Sequence, residues 1–161
     1  MKHKYVDPSG SDCRPGDIIK YMQQDYGVSM SYKKALRSKE KALEALYGTD
    51  EQSYAFLPTL SYMLKTKNPG SVIDIVTDEQ DRFLYYFMSL SAFINAWPYC
   101  RPVIIVDATF LKAYYRGILF TACAMDANEQ IFPLAFGVGD AECNESWEFF
   151  FVKLKEVIED I

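Results

Sequence analysis

One short stretch limits the possible folds more than any other part of the chain. Residues 103–106 are four consecutive β-branched apolar residues, and they lead directly into a single carboxylate, Asp107. A continuous apolar run of this length predicts a strand that is buried on both faces of a sheet. An acid at the end of such a strand lies where the sheet opens, which is a common location for chemistry. Asp107 is therefore the first candidate for a functional residue.

The composition is that of a globular protein with an uneven distribution of charge. Hydrophobic residues make up 50% of the 161 residues and aromatic residues 16%, which excludes a disordered chain. The net charge of −5 argues against a protein that binds nucleic acid over its whole surface. Residues 1–50 nevertheless carry nine Lys and Arg against seven Asp and Glu, so basic character is concentrated there.

The cysteine and histidine content excludes the common zinc sites. The four cysteines lie far apart, no CxxC pair occurs, and His3 is the only histidine. The uncharged stretch 83–100 contains serine, asparagine, proline and tyrosine. This mixture predicts a buried segment and not a membrane span, so no membrane partner is expected.

The first part of the chain predicts a helical lead-in. Residues 1–14 are polar and predict a flexible tail, and a helical region is expected over 15–70. Its first helix ends at Gly27, and its second helix is capped by Ser29 or Ser31. Two helices joined by a short turn with glycine resemble a helix-turn-helix unit.

The second helix carries a basic stripe that is formed by Lys33, Lys34, Arg37 and Lys41. In a helix-turn-helix unit the second helix contacts DNA, so these four residues are candidates for DNA binding. The alternative is a helical hairpin whose lysine face is simply solvated. Both interpretations stay open at this point.

Residues 71–161 predict an α+β domain. Apolar patterns predict strands at 72–76, 83–88, 103–109, 117–125 and 130–138. Short connections between the last three strands favour an antiparallel meander. Pro133 cannot donate to a strand ladder, so the last strand is expected at a sheet edge. A helix that starts near Asn144 has an apolar stripe to lie on the sheet.

Three antiparallel strands followed by a helix, with an acid on the first strand, match the opening half of a ribonuclease H-like fold. The local sequence also resembles, in order, the transposase domain of plant-type Mutator-like elements (MULE). The similar segments are CRPVIIVDATFLK at 100–112, YRGIL at 115–119, QIFPLAF at 130–136, and Glu142 followed by ESW at 145–147. YGVSMSYKKA at 26–35 is similar to the helical region that precedes that domain. The resemblance therefore covers roughly residues 15–161.

The resemblance implies a DDE-type transposase, in which three carboxylates hold two divalent ions, usually Mg²⁺, for phosphodiester strand transfer. Asp107 matches the first carboxylate, so it is expected to be catalytic and metal-binding. The family's other two carboxylates follow the helix in which this chain ends. We therefore expect an N-terminal part of a transposase that holds Mg²⁺ poorly and is inactive alone. Of the acids present, Asp126 is expected to form a turn, whereas Asp140 and Glu142 are nearer alternatives for a local metal site.

The resemblance also implies DNA as the partner and the nucleus as the location. Lys112 and Arg116 follow Asp107 and are candidates for phosphate contacts, although ordinary loops contain the same residues. Tyr114 and Tyr115 are candidates for base stacking or for the core. Three interpretations remain: a partial transposase, a domesticated relative that binds DNA or regulates transcription without catalysis, and a reading frame left by a decayed element. In each, the truncated domain leaves a bare sheet edge through which copies can associate.

Overall fold

The computed structural model describes residues 13–112 and 115–159. The chain divides into two compact units, Met1–Ser53 and Tyr54–Ile161. Residues 1–12 of the predicted tail lie outside the described residues. Among the described helices, none combines the length and the apolar character that crossing a membrane requires.

The first unit contains a helical hairpin. Its helices are α1 (Pro15–Tyr26) and α2 (Tyr32–Tyr47). Gly27 ends α1 in the left-handed conformation with φ 63°, and the side chain of Ser31 accepts a hydrogen bond from the backbone N–H of Lys34. Ile18 and Ala35 are buried, since α1 and α2 pack against each other. The predicted cap at Gly27 is thereby confirmed. Of the two residues predicted as alternatives for the N-cap of α2, Ser29 and Ser31, the cap is Ser31.

The second unit contains most of α3 (Asp50–Lys67) and a mixed arrangement of strands and helices. In chain order these are β1 (Val72–Thr77), β2 (Phe83–Ser89), α4 (Ser91–Ala96), β3 (Ile104–Phe110), β4 (Ile118–Met125), β5 (Ile131–Gly139) and α5 (Asn144–Glu159). A short 3₁₀ turn, Trp97–Tyr99, follows α4. All five predicted strands are present, and the α+β class is confirmed.

The strands form one antiparallel sheet in the order β1-β2-β5-β4-β3. The predicted meander of β3, β4 and β5 is correct. The sheet nevertheless has five strands and not three, because β2 pairs with β5 and so joins the β1–β2 hairpin to the meander. In the resulting order, β3 and β1 are the two edge strands.

Pro133 lies in a central strand, so the prediction that β5 is an edge strand is wrong. The β2–β5 ladder stops at Phe136, and Pro133 lies beyond its end. A proline there removes no hydrogen bond to β2, and a bulge in the β4–β5 ladder falls at the same place. The hydroxyl of Ser89 donates a hydrogen bond of 2.7 Å to the carbonyl of Leu134, next to the proline.

The core of the second unit lies between α5 and one face of the sheet. The ring of Phe150 is fully buried and stacks on Phe120, with ring centroids 5.2 Å apart, and it contacts Phe87 at 5.6 Å. The ammonium group of Lys153 is 2.7 Å from the carboxylate of Asp74, which ties α5 to β1. These contacts leave the opposite face of β3 outside the core.

Candidate functional site

Strand β3 has one half-buried face and one exposed face. Ile104, Val106 and Ala108 pack against the core cluster beneath α5. On the opposite side, which we call the outer face of β3, Ile105 is 52% exposed and Asp107 and Thr109 are exposed as well. The prediction that this strand is buried on both faces is wrong, because β3 is the last strand of the sheet and α5 covers only one side.

Asp107 lies in the middle of β3 and not at its end, since the strand continues to Phe110. It is paired in register with Thr121 of β4, whose hydroxyl is 3.4 Å from the backbone carbonyl of Asp107. Within the described part of the chain, the Asp107 carboxylate has no hydrogen bond and no ion pair. It is therefore an exposed acid that is available to a ligand. No sequence pattern predicts Thr121 as a neighbour of Asp107, and only the strand register places the two residues side by side.

The alternative acids are not brought next to Asp107. The register aligns Gly139 with Ile118 and Ile118 with Phe110, so Asp140 lies beyond the far end of β3. Four residues along the strand and two strands across give a separation of roughly 16 Å between Asp107 and Asp140. Glu142 follows Asp140 by two residues, in the loop between β5 and α5.

The described residues therefore do not fit a complete metal centre. No group of three or more Cys, His, Asp or Glu residues within 13–112 and 115–159 is arranged to hold a metal ion. Asp126 is occupied as a turn former, as predicted, because its carboxylate accepts hydrogen bonds of 2.8 Å from the N–H groups of Asn128 and Gln130. Asp107 alone offers one carboxylate, whereas a two-metal site needs several.

Glu145 has a structural role at the start of α5. A backbone hydrogen bond at Glu145, with a further one from Cys143, holds the pKa of its carboxyl below the usual range. The nearby hydroxyl of Tyr85 has its pKa raised, first by burial and then by the charges around it. The hydroxyl of Ser146 accepts a hydrogen bond of 3.1 Å from the N–H of Cys143, which fixes the turn into the helix. Glu145 therefore lies in the first turn of α5, where the positive end of the helix dipole stabilises its negative charge.

The candidate phosphate contacts lie in the loop between β3 and β4. Lys112 and Arg116 are exposed, and Arg116 is in the left-handed conformation with φ 54°. The loop begins after Phe110, about 10 Å along the strand from Asp107. Tyr115 makes an edge-to-face contact with Tyr54 at 5.7 Å, which favours its structural interpretation. Tyr114 lies outside the described residues.

The basic stripe of α2 faces solvent. Lys33, Lys34, Arg37 and Lys41 are all exposed. None of the four forms an ion pair with another described residue. Lys33, Arg37 and Lys41 follow one another at intervals of one helical turn, on the side away from the buried Ala35. The stripe is therefore a separate group of free cations on the first unit.

A comparison with protein families identifies the segment that contains Asp107. The family model described as MULE transposase domain matches residues 103–161. Comparisons with curated proteins and with solved structures found no match. The matched segment starts in the apolar run before Asp107 and includes β3, β4, β5 and α5. For residues 15–102 the resemblance stays a prediction. Residues 103–161 therefore belong to a MULE-type transposase domain.

Proposed function

We propose that this chain serves DNA transposition of the DDE type, with Asp107 as the first metal-binding carboxylate of the catalytic site. The observation that carries the proposal is the exposure of the Asp107 side chain, together with its lack of a partner among the described residues. Asp107 also lies near the start of the segment that matches the transposase domain. An exposed acid in the middle of an otherwise uncharged strand has no evident structural role there.

The strand order supports a ribonuclease H-like domain as the framework of this site. Three consecutive antiparallel strands are followed by a helix that packs on them, and the first of these strands has a free outer edge. In a ribonuclease H-like domain that edge receives a further strand. The substrate of a transposase is DNA, and on the same family basis we propose DNA as the partner and the nucleus as the location.

Metal dependence is general in this family, and carboxylate oxygens suit Mg²⁺. One carboxylate is not a two-metal site, so we expect this chain alone to bind Mg²⁺ weakly and to show no strand transfer. Strand transfer by the isolated chain would contradict this expectation.

Binding of Mn²⁺, used as a spin probe for Mg²⁺, tests the role of Asp107. Titration followed by electron paramagnetic resonance measures the loss of the free-ion signal. We expect weak binding by the unmodified chain and a clear reduction in the Asp107→Asn variant. The control is Asp140→Asn, which removes one exposed carboxylate outside β3 and should leave binding unchanged. An equal loss in both variants would remove Asp107 from the proposed site.

A second function is favoured by the basic stripe on α2. We propose that the first unit binds the phosphate backbone of DNA through Lys33, Lys34, Arg37 and Lys41, independently of catalysis. Four exposed cations without partners among the described residues support this proposal. Each cation that neutralises a phosphate releases counterions, so binding must weaken as salt is raised.

A salt titration of DNA affinity tests the second function. We expect the paired variant Lys33→Ala/Arg37→Ala to reduce the slope of log affinity against log salt by about 2. The matched control is Lys65→Ala/Lys67→Ala, which removes two exposed lysines from the end of α3. Equal effects of the two pairs, or binding that does not depend on salt, would refute a specific role for α2.

A further inference from the structure

Three described residues other than glycine have a left-handed backbone: Asp81 with φ 58°, Arg116 with φ 54° and Glu129 with φ 64°. Asp81 and Glu129 occupy the same position in two equivalent hairpin turns. In each turn the N–H of the left-handed residue donates to the carbonyl three residues earlier, at Asp78 and Asp126 respectively. Short hairpin loops of this kind favour a left-handed residue at that position. The turns therefore account for these two residues but not for Arg116.

Arg116 lies in the longer connection between β3 and β4, where no tight hairpin turn sets its backbone conformation. A left-handed backbone is unfavourable for a residue with a Cβ atom, and such residues are concentrated at functional sites. The Arg116 side chain is exposed and has no ion pair or hydrogen bond with another described residue. Within the described part of the chain, neither packing nor pairing of this side chain therefore accounts for its strained backbone.

The residue that follows Arg116 is fixed against the sheet. The N–H of Leu111 donates a hydrogen bond of 2.9 Å to the carbonyl of Gly117, which closes the connection. Gly117 has φ 106°, and a Cβ atom there would lie 2.7 Å from the carbonyl oxygen of Gly139. Because only glycine fits this close approach to β5, the backbone on one side of Arg116 cannot shift freely.

The residue that precedes Arg116 is fixed by an aromatic cluster. The ring of Tyr115 makes an edge-to-face contact with Tyr54 of α3, with ring centroids 5.7 Å apart. The Tyr54 ring lies 4.9 Å from the ring of Phe83 of β2. Contacts of this kind stabilise beyond the area that they bury. Arg116 is therefore an exposed cation whose backbone is held on both sides.

Lys112 is a second exposed cation of this connection. It directly follows Leu111, as Arg116 directly precedes Gly117, so the two cations adjoin the hydrogen bond that closes the connection. This end of β3 is about 10 Å along the strand from Asp107. The distance corresponds to about three base-pair steps of DNA at roughly 3.4 Å each. One DNA strand can therefore reach both Asp107 and the two cations.

We propose that Lys112 and Arg116 form a phosphate-binding pair for the DNA strand that enters the Asp107 site, and that Tyr115 is a positioning residue for Arg116. A guanidinium group forms paired hydrogen bonds with phosphate oxygens, and a backbone that is already fixed loses little freedom on binding. The inference rests on the proposed transposase function. It does not depend on what pairs with the outer edge of β3, because α3, β5 and the connection itself hold Arg116.

Fluorescence anisotropy with a labelled DNA duplex, measured over a series of salt concentrations in EDTA, tests the phosphate contact. We expect Arg116→Gly to reduce the slope of log affinity against log salt by about 1. Its urea midpoint should be no lower than that of the unmodified chain, because glycine adopts the left-handed conformation without strain. Arg116→Lys keeps the charge and should keep the slope. The control is Lys155→Ala, which removes an exposed cation from α5 and should also keep the slope.

A double-mutant cycle tests the positioning role of Tyr115. We expect Tyr115→Ala to weaken DNA binding at least about threefold when Arg116 is present. The same change should have no effect in the Arg116→Gly background, because Tyr115 acts through Arg116. Tyr115→Phe keeps the ring contact with Tyr54 and should bind DNA as the unmodified chain does.

An unchanged slope for Arg116→Gly, or an equal reduction for Lys155→Ala, would overturn the phosphate contact. A lower urea midpoint for Arg116→Gly would also overturn it, because the residue would then stabilise the fold. Equal losses from Tyr115→Ala in both backgrounds would overturn the positioning role. Since EDTA removes metal ions, failure here leaves the proposed role of Asp107 in metal binding unaffected. A loss of binding confined to the Lys33→Ala/Arg37→Ala pair would overturn this inference alone.

Discussion

Gly137 of β5 lies directly beneath the ring of Phe150, and this contact sets the distance between α5 and the sheet. A Cβ atom at position 137 would lie 2.6 Å from Cδ2 and 3.0 Å from Cε2 of Phe150, and 3.3 Å from the backbone oxygen of Tyr86. The ring cannot move aside easily, because it is fully buried and stacked on Phe120. Gly137→Ala must therefore displace the helix or the strand.

We expect Gly137→Ala to lower the free energy of unfolding by about 1–3 kcal/mol, the usual cost of overpacking a core by a methyl group. Urea denaturation followed by circular dichroism measures this difference. Gly139→Ala provides a milder case, because a Cβ at position 139 would lie 3.3 Å from its nearest neighbours, which are side-chain carbons of Ile118 and Phe120. Gly16→Ala is the control, since the added Cβ would meet no atom within 4 Å apart from the adjoining residues and the backbone of its own helix, and alanine favours a helix.

A double-mutant cycle separates the clash with Phe150 from other effects of the alanine. Phe150→Leu alone should be destabilising, because it shortens a buried side chain. Combined with Gly137→Ala, it should cost less than the sum of the two single changes, with a coupling of about 1 kcal/mol. Additive effects, or a Gly137→Ala variant as stable as the unmodified chain, would refute the account of this contact.

Two further predictions concern stability. Ser89→Ala removes the hydrogen bond to the carbonyl of Leu134 beside Pro133 and should cost about 1–3 kcal/mol in urea denaturation, because that carbonyl loses its buried donor. A cost below about 0.3 kcal/mol would show that the bond is unimportant. The pKa of Asp78 is lowered chiefly by the side chain of Arg82, so its charged form stabilises the β1–β2 turn. That stabilisation is present above the unfolded pKa and is lost as the pH falls through the folded pKa. Asp78→Asn should flatten the acid limb of a pH series of urea melts, and an unchanged acid limb would contradict this role.

The sequence alone predicts the positions of the helices and strands and part of the strand order in the sheet. Strand positions follow from apolar runs bounded by turn residues, and the caps at Gly27 and Ser31 depend only on neighbouring residues. The meander of β3, β4 and β5 follows from its short connections. Local patterns of this kind are decided within a few residues, so they can be recognised without knowledge of the fold.

The errors concern which strands become neighbours. Pro133 suggested an edge strand, but its effect depends on where the β2–β5 ladder ends, and that end is set by residues more than 40 positions earlier. The apolar run before Asp107 suggested burial on both faces, but Ile105 is exposed because it points away from the face of the sheet that α5 covers. Long-range pairing decides both points, and no local pattern contains it.

The candidate site was predicted in part. Asp107 was recognised from its position after an apolar strand, and its exposure and lack of partners among the described residues became visible only in the fold. The sequence favours Asp140 and Glu142 as nearer alternatives, because β5 runs parallel to β3 in the meander and ends on the same side of the sheet. The register places them past the end of β3 and so separates them from Asp107.

The central claim is that Asp107 is a metal-binding carboxylate of a transposase site. Paramagnetic broadening of amide NMR signals by substoichiometric Mn²⁺ tests this claim most directly, because it locates the ion residue by residue. We expect the signals of Asp107 and of Thr121, its partner in the register, to broaden first, and Asp107→Asn to abolish this effect. Earlier broadening at Asp140 and Glu142, or unchanged broadening in the Asn variant, would contradict it.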